Sequence, residues 1–337
     1  MPDIPRQIAT EARPLCFLCG RSGKTLHTNL TDFMFDAPGE WTLKQCEQSG
    51  CGLAWLDPFP LEKDLSLAYQ RYYTHSDSGE NTGRRKGPRE LLYALYRAAV
   101  AVPGLLIGLG KEKTSLASMF LDGERPGRVL DVGCGDGGFL NRMRSRGWSV
   151  DGLDFDIQAI ESAKAKYQMN LRHGDIKSPN FLSDSFDAIT LNHVIEHVPN
   201  PLEVFAESFR ILRPGGKLVM ATPNILSSGH AEFKQYWRGL EPPRHLHIFS
   251  RNALVECARR VGLEVEISGT TAANADIIAG ASYSILQNPN HRTEVEPPPN
   301  LPRTVNALLF QYREHLKKRQ NPDCGEEVFL VCRKKVS

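Results

Sequence analysis

The chain has 337 residues, of which 41 are Lys or Arg and 39 are Asp or Glu, for a net charge of +2. That length suits one medium domain with a smaller partner, and a composition 41% hydrophobic and 24% charged excludes wholesale disorder. The near-balance of charge leaves no broad electrostatic footprint for nucleic acid. The basic runs Arg84-Arg85-Lys86 and Lys317-Lys318-Arg319 read as solvated surface.

The opening MPDIPRQIATEARPLCFLCG holds no apolar signal core, so a cytoplasmic location is expected. In such a setting disulfides are disfavoured and clustered cysteines read as metal ligands. Residues 1–60 contain two clusters, Cys16-Phe-Leu-Cys19-Gly and Cys46-Glu-Gln-Ser-Gly-Cys51-Gly. Two such pairs can set four sulfurs tetrahedrally around one Zn²⁺. The glycine after each pair permits the tight turn that aims backbone N–H groups at the thiolates. Residues 1–60 therefore read as a zinc-ribbon-like module, with Cys134, Cys257, Cys324 and Cys332 as inert thiols elsewhere.

Residues 61–127 read as linker and helices packing on the catalytic domain: a short helix in 61–80 and a loop over 79–90. The stretch LLYALYRAAVAVPGLLIGLG, 91–110, is broken by Arg97, Pro103 and three glycines. It is marginal in length for a membrane span and poor in content. It predicts a packed helix over 91–102, with a peripheral membrane contact as the alternative because basic residues flank it.

From residue 128 the pattern alternates. Strands are predicted at 128–132, 149–153, ending near His173, 186–191 and 217–221, with helices at 138–146, 157–167 and 201–212. That order implies an α/β doubly wound sheet covered on both faces. Two further strands are predicted at 263–268 and 328–333. The stretch 270–325 between them is too long to be structureless, and helices are expected at 274–286 and 305–318. On this reading 128–337 is one catalytic domain with its own core and insertions at about 225–250 and 270–325.

The central signal is VLDVGCGDGGFL, 129–140. A strand ends at Val132 and the chain turns through glycines that let the backbone approach a ligand closely. The next helix points its free N–H groups at the same place. Gly133, Gly135 and Gly138 match the dinucleotide pattern G-x-G-x-x-G, and Asp154 ends the following strand, where an acid takes ribose hydroxyls. Asp131 argues against that reading: its carboxylate suits an ammonium and would repel a pyrophosphate.

The ordered set VLDVGCGDGGFL, VDGLDFD, HGDI, FDAITLNHVIEHVPNP and LRPGGKLVMATPN resembles the class I S-adenosylmethionine (SAM)-dependent methyltransferases over about 128–270. The resemblance implies a seven-stranded Rossmann-like sheet with a final antiparallel strand, and S-adenosyl-L-methionine as cofactor. It implies that Asp131 binds the methionine ammonium and that Gly133 and Gly135 line the cofactor. Asp154 would hold the ribose, Phe155 would lie against the adenine, and Asp175 and Ile176 would meet its edge and face. Asn192 and His193 would sit beside the methionine portion. The Asn/Asp-Pro-Pro-aromatic motif of base-amine methyltransferases is replaced by NHVIEH, which disfavours that substrate class.

A zinc ribbon ahead of such a domain resembles bacterial methyltransferases of polysaccharide and natural-product pathways, a likeness supported by YQRYYTH at 69–75. The second pair departs from that group in its wider C-x₄-C spacing, and the large C-terminal domain of the sugar C-methyltransferases is missing, which leaves the methylated atom open. The expected function is methyl transfer to a small-molecule, sugar or glycan-linked acceptor. The alternatives are a zinc-containing RNA methyltransferase and an NAD-dependent oxidoreductase.

Acceptor-side candidates cluster in His193-Val-Ile-Glu196-His197 and in 236–247, both beyond the carboxyl ends of strands, where α/β folds bind ligands. Histidine is the usual base near neutral pH. His245 is the first candidate base and His193 the second, while Glu196 and His197 serve either function or packing. Residues around Pro242-Pro243 are expected to be a mobile segment that closes over the acceptor. Arg238 and Arg244 beside Trp237 suit a polar or anionic acceptor, such as a sugar nucleotide or a phosphorylated glycan, with a lipid-linked acceptor as an alternative.

Overall fold

The computed structural model describes residues 7–48, 50–70, 108–177, 180–289 and 301–336. Strands β1 (Thr10–Glu11) to β5 (Phe59–Pro60) form the first unit, with β2 (Gly23–Leu30), β3 (Trp41–Cys46) and β4 (Ala54–Leu56) as an antiparallel meander. A 3₁₀ helix, Glu62–Tyr69, carries the chain away from it. The predicted loop at 79–90, the helix at 91–102 and residues 71–75 of YQRYYTH lie outside the described residues. Helix α1 (Leu109–Ala117) leads into the large sheet.

That sheet alternates with helices as the periodicity predicts: β6 (Arg128–Val132), α2 (Gly138–Ser145), β7 (Ser149–Asp154), α3 (Ile157–Tyr167), β8 (Arg172–His173), β9 (Phe186–Asn192), α4 (Pro201–Ile211) and β10 (Leu212–Pro223). Local chemistry sets the helix starts. Asp156 accepts the Gln158 N–H ahead of α3, and Pro201 opens α4, where its missing N–H costs nothing. β10 runs longer than expected. Pro214, Gly215 and Gly216 read as strand breakers, yet the chain absorbs them as a bulge between the Leu212 and Lys217 pairings with β9.

Beyond β10 come α5 (Ser228–Phe233), β11 (His247–Ile248), α6 (Arg251–Arg260), β12 (Glu264–Thr271), α7 (Ala275–Gln287), α8 (Leu301–Lys317) and β13 (Glu327–Arg333). The two helices expected within 270–325 are present as α7 and α8. The seven strands lie in the order β12-β13-β10-β9-β6-β7-β8, with β13 antiparallel to both of its neighbours. The order reverses between β6 and β9, and a ligand crevice forms outside the strand ends at such a switch point.

Two units with separate cores are not what forms. Strand β11 pairs antiparallel with β4, His247 opposite Trp55 and Ile248 opposite Ala54, so the insertion completes the N-terminal sheet. Cys16, Leu18, Cys46, Leu53 and Trp55 pack into the same buried cluster as Leu191, Met220 and Leu254 of the large sheet and its helices. No helix among the described residues is long and apolar enough to cross a membrane.

Candidate active site

Strand β6 ends at Val132 and the chain turns sharply, with Gly133 at φ 70° and Gly135 at φ 54°. Only glycine takes such angles without steric cost. At Gly133 space is closed as well, since a Cβ there would lie 2.3 Å from a methyl carbon of Val194. The turn is fastened to β7 by Asp154, whose Oδ2 accepts the Gly135 N–H at 2.9 Å and whose Oδ1 accepts the Asp156 N–H at 2.9 Å. Asp154 is 6% exposed. A carboxylate has about four acceptor sites, so a group already holding two amides can also take ribose hydroxyls.

Asp131 is buried beneath the turn, and Thr190 of β9 donates to it at 2.6 Å. Burial pushes its carboxyl up to about 7, against the opposing pull of the Thr190 hydroxyl. A cation placed there would restore ordinary acidity, which fits the ammonium of a methionine group. Thr190, a hydroxyl in an otherwise apolar strand interior, carried the only sequence signal of this support. Asp175 is exposed near the same end of the sheet, and Asn192 is exposed at the end of β9. Phe155 is 53% exposed, its ring 4.9 Å from that of Tyr69. Ile176 departs from expectation: it is 1% exposed within the core and offers a ligand no side-chain surface.

His193 follows β9 in a left-handed conformation, φ 54°, which is uncommon for a non-glycine residue and concentrates at functional sites. Its Nε2 lies 2.6 Å from Glu327 of β13, and its Nδ1 lies 3.3 Å from Glu196. Asn274 donates to Glu327 from beyond β12. Burial would lower the imidazole pKa, but the two carboxylates outweigh it and push it up to about 10. With a carboxylate at each nitrogen the ring has no lone pair for an acceptor's proton, so His193 is not placed as the general base. Nothing in the sequence paired Glu327, 134 residues away, with this ring.

The segment 236–247 also departs from expectation. Residues 239–250 are buried without interruption, so this is a packed wedge and not a mobile cover. The reason is Arg244, whose side chain is fully enclosed. Its guanidinium donates to Asp32 at 2.7 Å, to Glu241 at 2.8 Å and to the Ala68 carbonyl at 2.9 Å. Arg238 pairs with Glu241 too. Both arginines are therefore spent on internal carboxylates and offer no charge to an anionic acceptor. His245 is 5% exposed, with Nδ1 at 2.8 Å from the Gly239 carbonyl, and burial lowers it to about 4. His247 sits at 2% exposure among Phe17, Phe59 and Phe249. Both rings are enclosed by packed side chains and main chain.

The four N-terminal cysteines do meet. Their sulfurs all lie within 4.8 Å of one another, with Cys16 to Cys51 at 3.9 Å and Cys19 to Cys46 at 3.3 Å. A tetrahedron with Zn–S bonds of about 2.3 Å has edges of about 3.8 Å, so the spacing fits one ion. Gly20 and Gly52 both take φ 69° directly after their pairs. The Gln48 N–H approaches the Cys46 sulfur at 3.4 Å. The neighbouring Cys51 thiol and burial together push the Cys16 thiol up, a cost that a bound dication reverses.

Residues 111–267 match the family model described as "Methyltransferase domain". Residues 111–267 thus carry a methyltransferase domain. The match agrees with the methyltransferase reading of the glycine turn and not with the dinucleotide one. Among curated relatives, the malonyl-[acyl-carrier protein] O-methyltransferase of Hahella chejuensis is 32% identical over 179 residues, covering 51% of this chain and 63% of that protein. A probable S-adenosylmethionine-dependent methyltransferase of Mycolicibacterium smegmatis is 31% identical over 142 residues, 41% of this chain and 52% of that protein. The chain thus spans between half and two thirds of the length of these relatives. Among solved structures, the [4+2]-cyclase SpnF aligns at 19% identity with a TM-score of 0.46, over 66% of this chain and 80% of that one. The methyltransferase domain holds the glycine turn, Asp154, Asp175 and the His193 loop, whereas the four cysteines, Arg244's partner Asp32 and Glu327 lie outside the matched residues.

Proposed function

We propose that the protein is an active SAM-dependent methyltransferase whose acceptor is a small molecule, a sugar or a glycan-linked group of a biosynthetic pathway. One observation carries the reading: Asp154, locked by two backbone amides at the end of β7, stands beside a glycine turn of positive φ near the buried Asp131. Bound SAM would supply an electrophilic methyl group. Asp154 holds the ribose, Asp131 receives the ammonium, and Gly133 and Gly135 let the backbone approach. Phe155 covers the adenine side with Asp175 near its edge, and Asn192 and His193 border the methionine end. His193, pinned in place by its two carboxylates, serves as a positioning residue that keeps acceptor and methyl group in line.

The near-neutral charge favours a small acceptor over RNA. Cys16, Cys19, Cys46 and Cys51 hold one structural Zn²⁺ in this reading, and the core they share with the large sheet couples that ion to the stability of the methyltransferase domain. The test is S-adenosylhomocysteine release from SAM across a panel of hydroxyl-, amine- and carbon-acid acceptors, sugar nucleotides included, with Asp154→Ala as control. Turnover on at least one acceptor, lost in the control, is expected. Absence of SAM binding by the folded protein would overturn the assignment.

A further inference from the structure

Behind the His193 loop a second group of potential ligands converges. Glu196 and His197 lie on the 3₁₀ turn Ile195–His197, and His245 comes from the wedge. One ligand atom from each residue falls within 4.8 Å of the others. The segments are held together by the main chain too, the Leu246 N–H donating to the Glu196 carbonyl at 2.8 Å.

Hydrogen bonding outside this cluster orients both rings. Nδ1 of His197 lies 3.1 Å from the Arg244 carbonyl, and Nδ1 of His245 lies 2.8 Å from the Gly239 carbonyl. A carbonyl can only accept, so Nδ1 of His245 carries the proton and its Nε2 keeps its lone pair; the Arg244 carbonyl favours the same tautomer at His197, whose Nδ1 also lies 3.1 Å from the Tyr69 hydroxyl. This tautomer, fixed by a backbone carbonyl, is the arrangement that metal-ligating histidines use. Glu196 is completely buried. Its Oε2 accepts from Thr222 at 2.9 Å, whereas Oε1 makes no hydrogen bond. Oε1 has the His193 ring 3.3 Å away but lacks the angle for one. The His193 ring offsets the charge of Oε1 as an ion pair, and the oxygen keeps lone pairs open to a metal ion. The charges facing the group are the His193 ring, 3.3 Å from Glu196; Glu241, whose carboxylate lies 3.6 Å from Nε2 of His245; Arg244, neutralised by Asp32 and Glu241; and Arg238, paired with Glu241.

We infer that Glu196, His197 and His245 bind a divalent transition-metal ion of the zinc class, separate from the four-cysteine site. Two imidazoles and a carboxylate are the donor set that suits such ions. Three protein ligands leave a coordination position for water or for an oxygen of a bound molecule. The ion would tie the loop after β9 to the wedge, joining the methyltransferase domain to the residues that hold the N-terminal sheet.

The test uses the full chain, stripped with chelator, reloaded with Zn²⁺ and passed through a desalting column. Zinc is then counted and its ligands are read by X-ray absorption at the zinc edge. Two ions per chain are expected, with sulfur and nitrogen/oxygen neighbours in comparable amounts. Glu196→Gln and His245→Gln should each bring the count from two to one and leave sulfur neighbours only, with circular dichroism reporting a retained fold. One ion with sulfur neighbours alone in the unaltered chain overturns the inference, and so does a second ion that persists in folded forms of both variants. Nitrogen/oxygen neighbours without sulfur would instead refute the cysteine site and leave this one standing. Because zinc is counted and not methyl transfer, the result is independent of whether an acceptor is found.

Discussion

Replacing Asp154 tests the cofactor site most directly. Its two oxygens accept from Gly135 and Asp156 at 2.9 Å each, so the side chain both shapes the glycine turn and presents charge to the ribose. Asp154→Ala removes charge-assisted hydrogen bonds to the ribose hydroxyls, worth about 1.5–3 kcal/mol together. That corresponds to a rise of about 10- to 150-fold in the dissociation constant. Two backbone donors also lose their acceptor, which costs stability on the order of 1–3 kcal/mol. Asp154→Asn should fare little better, because an amide has one acceptor oxygen and its NH₂ would face one of the backbone donors. The assay is titration calorimetry with S-adenosylhomocysteine, which carries the same ribose and ammonium but does not react, alongside a thermal melt. A folded Asp154→Ala protein that binds within twofold of the unaltered chain would refute the assignment. An Asp154→Asn protein indistinguishable from the original would refute the two-oxygen geometry.

Asp131, raised by burial to about 7, must ionise to accept an ammonium, so S-adenosylhomocysteine affinity should fall by up to about tenfold per unit as pH drops below 7; buffers of different ionisation heats should report a proton released on binding, and a flat profile from pH 5 to 8 would contradict the role. Glu314 and Glu326 are both 1% exposed, and burial pushes both upward, with the Glu326 charge adding to the rise at Glu314 and the Glu327 charge at Glu326. The folded protein therefore keeps protons that the unfolded chain has lost, and this contribution to stability shrinks as pH rises from the ordinary carboxylate range, at about 1.4 kcal/mol per unit for each proton retained. Glu314→Gln should flatten that decline in urea unfolding between pH 6 and 9, and an unaltered slope would count against it. Burial tends to raise Asp32, but Arg244 outweighs it and holds the carboxyl low. Asp32→Ala leaves part of a buried guanidinium charge unmatched, so a loss of about 3–5 kcal/mol is expected from the urea midpoint, and a loss under 1 kcal/mol would show the network to be dispensable.

The sheet and its cofactor turn were legible because their signals are local. The run Val129–Val132 is apolar, the glycines come directly after it, and Asp154 ends the next strand within a single βα unit. The cysteine pairs were legible for the same reason, each being a short-range spacing. The features that stayed hidden depend on distant partners. Arg244 reads as a cation for an anionic acceptor until Asp32, 212 residues away, is seen beside it. His245 reads as a mobile base until the Gly239 carbonyl and the surrounding core enclose it. Glu327 closes on His193 only because β13 threads antiparallel beside β10. Pro242-Pro243, which suggested mobility, lies instead inside a fully buried stretch.

The pairing of β11 with β4 also sets an order of events during synthesis. Trp55 emerges from the ribosome early, but its sheet partner His247 is made only after most of the large sheet has appeared. At about 5–20 residues per second that interval is on the order of ten to forty seconds. Through it the nascent N-terminal strands expose an open edge and the apolar faces of Leu53 and Trp55, which the finished fold buries. An ion captured early by the four cysteines would hold this half-built sheet in register until its last strand arrives.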